Sequence, residues 1–109
     1  MAELSKKIFI VDDDPVLAEM LRDHLIKMTN YDVTSFSSGE ECLKHLDQFP
    51  GIVFLDFYLD SINKDAMDGL QVLQEIKKAS PESDVVMLSG QDKIQVAVDT
   101  MKYGAFDYI

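Results

Sequence analysis

Cysteine is nearly absent: Cys42 stands alone among the 109 residues, which excludes an internal disulfide and a cysteine-built metal cluster. Positive charge is scarce too, with ten Lys and Arg against twenty Asp and Glu, a net charge of −10 and a pI near 4.4. That balance disfavours direct contact with a nucleic acid backbone or an anionic membrane surface, because both reward Lys and Arg. Any gene-regulatory role is therefore expected to pass through another chain or another segment. No apolar stretch approaches ~20 residues, so no membrane span is expected. Met1-Ala2-Glu3 lacks the basic, then apolar, opening of a secretory signal. Internal repeats and low-complexity stretches are missing as well. With 47% hydrophobic residues, a chain of this length suits one compact domain that buries somewhat over ~60% of its unfolded surface. The expectation is a single cytoplasmic domain over residues 1–109.

What the chain does have is two apolar runs that end abruptly in acid. Ile8 to Val11 is closed by Asp12, Asp13 and Asp14, and Ile52 to Leu55 is closed by Asp56. Short apolar runs of this kind read as buried parallel strands whose carboxyl ends open into a polar crevice. Two such ends side by side make a cage of carboxylates, which repel one another unless a cation, a raised pKa or a phosphorylated state relieves them. A pair at 4 Å costs about 1 kcal/mol in water and several times that where partly shielded.

Between these runs strands alternate with helices. Asp14-Pro15 caps and opens a helix striped by Leu17, Met20, Leu21, Leu25 and Met28, ending near Asn30. Asp32 to Phe36 alternates as a short strand. Ser38-Gly39-Glu40-Glu41 has capping-box spacing before a stripe of Cys42, Leu43, Leu46 and Phe49, which Pro50-Gly51 ends. Ile52 to Phe57, apolar on both faces, predicts a central strand. A loop from Tyr58 to Asp68 leads into a helix with Leu70, Leu73 and Ile76 inward, stopped at Ser80-Pro81. Val85 to Leu88 predicts a fourth strand ending in Ser89-Gly90. Ile94, Ala97, Val98 and Met101 stripe a fourth helix, on which Val96 and Val98 cannot both face the sheet. Ala105 to Ile109 begins a fifth strand. This alternation predicts an α/β fold, a parallel sheet between layers of helices with right-handed crossovers, and ligands bind such sheets at the carboxyl ends of strands. Asp12, Asp13, Asp56 and Ser89 all fall there.

Hard oxygen donors of this kind suit Mg²⁺, which takes one or two carboxylates and favours a phosphate partner. A carboxylate is also a nucleophile toward phosphorus, forming an acyl phosphate, and the transfer needs little beyond positioning and charge neutralisation. Asp56 is the natural acceptor because it stands alone, while Asp12 and Asp13 share the cation. The Ser89 hydroxyl is a donor for phosphoryl oxygens, and Tyr108 is an aromatic whose polar tip can move in or out.

These residues resemble the receiver domain of bacterial two-component response regulators. The resemblance rests on VDDD followed by Pro15, the Leu55-Asp56 pair, MDG at Met67 to Gly69, MLSG at Met87 to Gly90 and the closing YGAFDYI, in order along the whole chain. It implies a flavodoxin-like three-layer sandwich with sheet order 2-1-3-4-5. Asp56 would be the phosphorylated residue, and Asp12 and Asp13 the acid pair for Mg²⁺, with the backbone carbonyl of Tyr58 as a further ligand. By the same likeness Ser89 binds the phosphoryl group and Tyr108 is the switching aromatic. The phosphoryl donor would be a histidine kinase or a phosphotransfer protein, and the helix 4, strand 5, helix 5 face the contact for an effector or a second copy.

Two departures accompany the likeness. From Asp56 to Gly69 the loop carries about five residues more than the family pattern, and its usual proline is absent; an altered kinase contact or dephosphorylation is expected. The phosphate-binding lysine and fifth helix of the family have no counterpart, so the last helix is expected to be missing and the domain incomplete at its C-terminus. Uncovering about 400 Å² of apolar surface would cost on the order of 10 kcal/mol, which predicts a shortened piece of a longer regulator that pairs as a homodimer to cover the gap.

Plainer readings exist for several of these residues. Asp14 serves as a helix cap, His24 and His45 lie on helix surfaces, Cys42 belongs to the core, and Asp60 and Asp65 are solvated. Asp12 and Asp13 alone would read as a solvated loop; Asp56 and Ser89 at neighbouring strand ends reverse that. Rival functions are a haloacid-dehalogenase-like phosphatase, with Asp12 as nucleophile and Asp14 as acid, and a receiver-like scaffold that is never phosphorylated. A flavodoxin is the weakest rival, because the turn after the first strand is acidic where a phosphate-cradling loop would be rich in Gly, Ser or Thr.

Overall fold

The computed structural model describes residues 6–60, 63–88 and 102–108, the Tyr108 side chain excepted. Five strands pair in parallel: β1 Lys7–Val11, β2 Asp32–Phe36, β3 Ile52–Asp56, β4 Asp84–Leu88 and β5 Asp107–Tyr108. They lie in the order β2-β1-β3-β4-β5, as the sequence led us to expect. Between them run α1 Pro15–Met28, α2 Gly39–Leu43 and α3 Gly69–Ala79, with one 3₁₀ turn at Leu46–Gln48. The chain leaves β1 toward β2 on one side and reaches β3 on the other. Sheets of this type form their crevice at that reversal, and there Val11 is level with Leu55 across the β1–β3 ladder.

Strand periodicity divides the core in two. Phe9, Val11, Val53, Leu55, Val85 and Met87 face α2 and α3, where they pack with Cys42, Leu46, Val72, Leu73 and Ile76. Ile8, Ile10 and Val33 face Ala18 of α1, with Leu21, Leu25, Ile52 and Phe54 alongside. β1 is buried on both faces. β3 alternates instead: Val53 and Leu55 are buried while Ile52 and Phe54 are half-buried, so the run that reads as apolar on both faces is closed fully on only one.

Two helices differ from their expected stripes. α1 turns Ala18, Leu21 and Leu25 to the sheet, and leaves Leu17, Met20 and Met28 at 54%, 64% and 70% exposure. Small Ala18 permits the closest approach, and seating on it rotates the longer residues outward. The helix after Ser38 stops at Leu43 and gives way to i→i+3 bonds, His45 N–H to Cys42 O, Gln48 N–H to His45 O and Phe49 N–H to Leu46 O. Phe49 then sits at φ 53 and is 67% exposed. Pro50 accounts for the exit of Phe49 from the right-handed helical region, because a residue before proline is disfavoured there. His24 and Asp65 are exposed, Cys42 is fully buried, and His45 and Asp60 are intermediate.

The loop after β3 enters the core through Leu59, 1% exposed, which its place outside any periodic element concealed. A second hidden feature is a buried hydroxyl pair: Ser80 Oγ and Ser83 Oγ lie 2.7 Å apart, and Ser83 Oγ donates to Pro50 O at 2.6 Å. The predicted fourth helix, with Ile94, Val96, Ala97, Val98 and Met101, lies outside the described residues, as does Ser89-Gly90. None of the described helices is long and apolar enough to cross a membrane.

Candidate functional site

Asp12 and Asp13 follow the last residue of β1, and Asp56 is the last residue of β3. The β1–β3 register brings these ends together, and one carboxylate oxygen from each of Asp12, Asp13 and Asp56 falls within 4.8 Å of the others. Among the described residues this is a cluster able to hold a cation. Each acid is fixed locally. Asp12 N–H donates to Phe36 O at 3.1 Å, tying the turn to β2, and Asp12 Oδ1 accepts from Asp14 N–H at 2.9 Å. Asp56 Oδ1 accepts from Tyr58 N–H at 3.1 Å.

The electrostatics show crowding. Burial pushes the Asp56 carboxyl up from 3.8 to about 6; the Tyr58 amide opposes the rise, and the charges of Asp12 and Asp13 add to it. Asp12 is raised as well, by burial first, with its Asp14 amide bond opposing and Asp13 adding. A half-buried trio of carboxylates is the donor set a small hard divalent cation takes: oxygen only, several negative charges and room for water. The residues fit such an ion.

Asp14 belongs to α1 and stands apart from this trio in role. Its Oδ1 accepts from Val16 N–H at 3.0 Å and Leu17 N–H at 3.3 Å, which is an N-cap. This engagement disfavours the phosphatase reading, in which Asp14 would serve as a mobile acid. Tyr58 adjoins Asp56 through its amide, and its ring meets Phe57 edge-on at 4.9 Å. Tyr108 is paired with Met87 in the β4–β5 ladder, which sets its backbone at the edge of the sheet. Ser89 and the Tyr108 side chain lie outside the described residues.

Two contributors escaped the sequence reading. Gly69 opens α3 so close to Asp56 that a Cβ there would run into Asp56 O and lie 2.6 Å from Phe57 Cα; its N–H donates to Phe57 O at 2.9 Å. The MDG fragment contained the signal, a glycine where helix and strand end must touch. Glu40, second residue of α2, accepts from Met67 N–H at 3.1 Å through Oε2. Nothing in its local sequence announced a contact 27 residues away.

A parallel α/β sheet of order 2-1-3-4-5 with an acid trio at its central strand ends defines a flavodoxin-like domain with a cation-binding crevice, and comparison with known proteins narrows this. The sequence pattern described as the response regulator receiver domain matches residues 8–109. The nitrogen assimilation regulatory protein NtrX of Azorhizobium caulinodans is 32% identical over 107 residues, covering 97% of this chain and 23% of that protein. The probable C4-dicarboxylate response regulator DctR of Bacillus subtilis is 32% identical over 112 residues, all of this chain and 47% of that protein. A Burkholderia pseudomallei response regulator, solved with a phosphorylated aspartic acid, calcium ion and citrate, superposes with a TM-score of 0.83 at 26% identity, covering 95% of this chain and 58% of that one. The chain belongs to the response regulator receiver domain family. It spans less than half the length of either curated relative.

Proposed function

We propose that this chain accepts a phosphoryl group on Asp56, from a phosphohistidine of a histidine kinase or phosphotransfer protein, and relays the change to an output segment or partner. The observation that carries this reading is the convergence of Asp12, Asp13 and Asp56 within 4.8 Å. An Asp56 oxygen attacks phosphorus, the P–N bond breaks, and the imidazole leaves with the bonding pair and takes up a proton. The Tyr58 amide holds Oδ1 and so restricts carboxylate rotation, which assigns the attack to Oδ2. Asp12, Asp13, Asp56 and the Tyr58 carbonyl are the ligands we assign to Mg²⁺, which when bound neutralises the charge that gathers on the phosphoryl oxygens. Ser89 is assigned a hydrogen bond to the phosphoryl group, and Tyr108 the switching aromatic. On this reading the chain is a signalling domain whose chemistry is limited to its own phosphorylation and dephosphorylation. The exposed apolar residues Val16, Leu17 and Met20 of α1 favour self-association as a second feature, read by sedimentation.

The test is intact-mass spectrometry after incubation with acetyl phosphate and Mg²⁺. Wild type gains one phosphoryl group and Asp56→Asn gains none. Labelling that persists in Asp56→Asn and disappears in Asp12→Asn would return the phosphatase-like reading. Absence of labelling in wild type, with no response to Mg²⁺ titration, would favour a scaffold.

A further inference from the structure

The loop from Phe57 to Asp68 has to be held still if its first residues are to serve the acceptor. On its near side it is tied by Phe57 N–H to Leu88 O at 3.0 Å and Tyr58 N–H to Asp56 Oδ1 at 3.1 Å. Further along, Asn63 closes a turn on itself, accepting from Asp65 N–H at its side chain and Ala66 N–H at its carbonyl. The far side returns through Met67, whose N–H donates to Glu40 Oε2 at 3.1 Å. Two residues later Gly69 N–H donates to Phe57 O, and the Gly69 Cα rests on the backbone of Asp56 and Phe57. Glu40 is thus the α2 side chain that seats the returning limb, and that limb in turn braces the acceptor.

Glu40 is placed at a cost. Its Oε1 is buried with no hydrogen-bond partner among the described residues, and an unpartnered buried carboxylate oxygen is an expensive arrangement. Glu40 also follows a point of close packing: a Cβ at Gly39 would run into Val72 Cγ2 of α3, so α2 and α3 are in close contact there. An apolar residue there would leave the part-buried Met67 N–H without its acceptor; the amide that Glu40 holds offsets the cost of its buried oxygen.

We propose that Glu40 is a positioning residue for the Asp56 site: it seats Met67, and through Gly69 the Phe57–Tyr58 backbone, in the geometry that binds the cation and accepts the phosphoryl group. This rests on the phosphoacceptor reading above. It makes cation binding and the seating of the loop on α2 two sides of one equilibrium, so each strengthens the other. When a binding-competent arrangement is populated only fractionally, apparent affinity falls by that fraction. Loss of one hydrogen bond to a backbone amide is enough to shift such an equilibrium about fivefold to tenfold.

The experiment is Mg²⁺ titration by calorimetry of wild type, Glu40→Ala, Glu40→Gln and Asp56→Asn, with acetyl phosphate labelling rates at saturating Mg²⁺. Glu40→Ala should weaken Mg²⁺ affinity about fivefold to tenfold and lower the labelling rate. Glu40→Gln keeps a carbonyl acceptor for Met67 N–H and should stay within about twofold of wild type. Gln behaving like Ala would show that charge, rather than seating, matters, and would overturn the proposal; so would Ala behaving like wild type. If Glu40→Ala does not fold, hydrogen exchange at the Met67 amide of wild type decides: slowing by Mg²⁺ supports the coupling, and no change refutes it. Wild type that binds Mg²⁺ no better than Asp56→Asn would instead bring down the phosphoacceptor reading itself.

Discussion

Replacing Asp56 with a neutral isostere should make the metal-free protein more stable. Asp56 titrates near 6 in the folded chain against 3.8 as a free group, driven by burial first and then by Asp12 and Asp13. Because its folded pKa is raised, the folded state holds the proton more tightly than the unfolded one. Stability therefore falls as pH rises from 3.8 toward 6, and the full penalty persists above that window. A shift of this size corresponds to about 3 kcal/mol at full strength, and solvent screening at a partly exposed carboxylate reduces it to roughly 1–2 kcal/mol. Asp56→Asn keeps an oxygen for the Tyr58 amide and removes the charge. In EDTA at neutral pH the variant should gain that roughly 1–2 kcal/mol, or several degrees in Tm for a domain of about 100 residues. The gain should shrink as pH falls through about 6 and vanish below about 4. Added Mg²⁺ should reverse the order, because only the wild type retains the full carboxylate set and binding stabilises the folded state by mass action. The assay is urea unfolding followed by circular dichroism across pH, with and without Mg²⁺. A variant no more stable than wild type in EDTA at neutral pH, or a gain that survives acidification, would refute the crowding argument.

Other substitutions separate structure from site. Gly69→Ala runs a methyl into Asp56 O and should cost about 1–3 kcal/mol while also weakening Mg²⁺ binding, read by the same unfolding curves and by calorimetry. Asp14→Ala removes an N-cap and should cost about 1 kcal/mol with Mg²⁺ affinity retained; a large loss of affinity would place Asp14 in the cage after all. Leu59→Ala empties a core position that is 1% exposed and should cost about 2–5 kcal/mol. Phe49→Gly, at an exposed residue with φ 53, should be neutral or slightly stabilising, since glycine adopts that conformation without strain.

What could be read before any coordinates were the features encoded over short stretches. The apolar runs ending in Asp12 and Asp56 located two strand ends, the strand and helix alternation set the layers, and Asp14-Pro15 marked a helix start, because period, cap and turn chemistry are local. The joining of Asp12, Asp13 and Asp56 was legible too, since parallel neighbouring strands bring their carboxyl ends to one edge. Stripe boundaries were less secure. Leu17, Met20 and Phe49 are apolar at helical spacing yet lie exposed, because tertiary packing decides which side of a helix meets the sheet and where the helix gives way to a turn.

The chain by itself determined the fold class, the strand order implied by its likeness, and the identity of the acid trio. Only the folded molecule decided how Asp56 is braced. Leu59 in the core, Gly69 against the Asp56 backbone and Glu40 on Met67 are contacts between segments far apart in sequence. They arise when α2, α3 and the loop pack around the sheet together, and no periodicity within one segment records which neighbour that packing will supply.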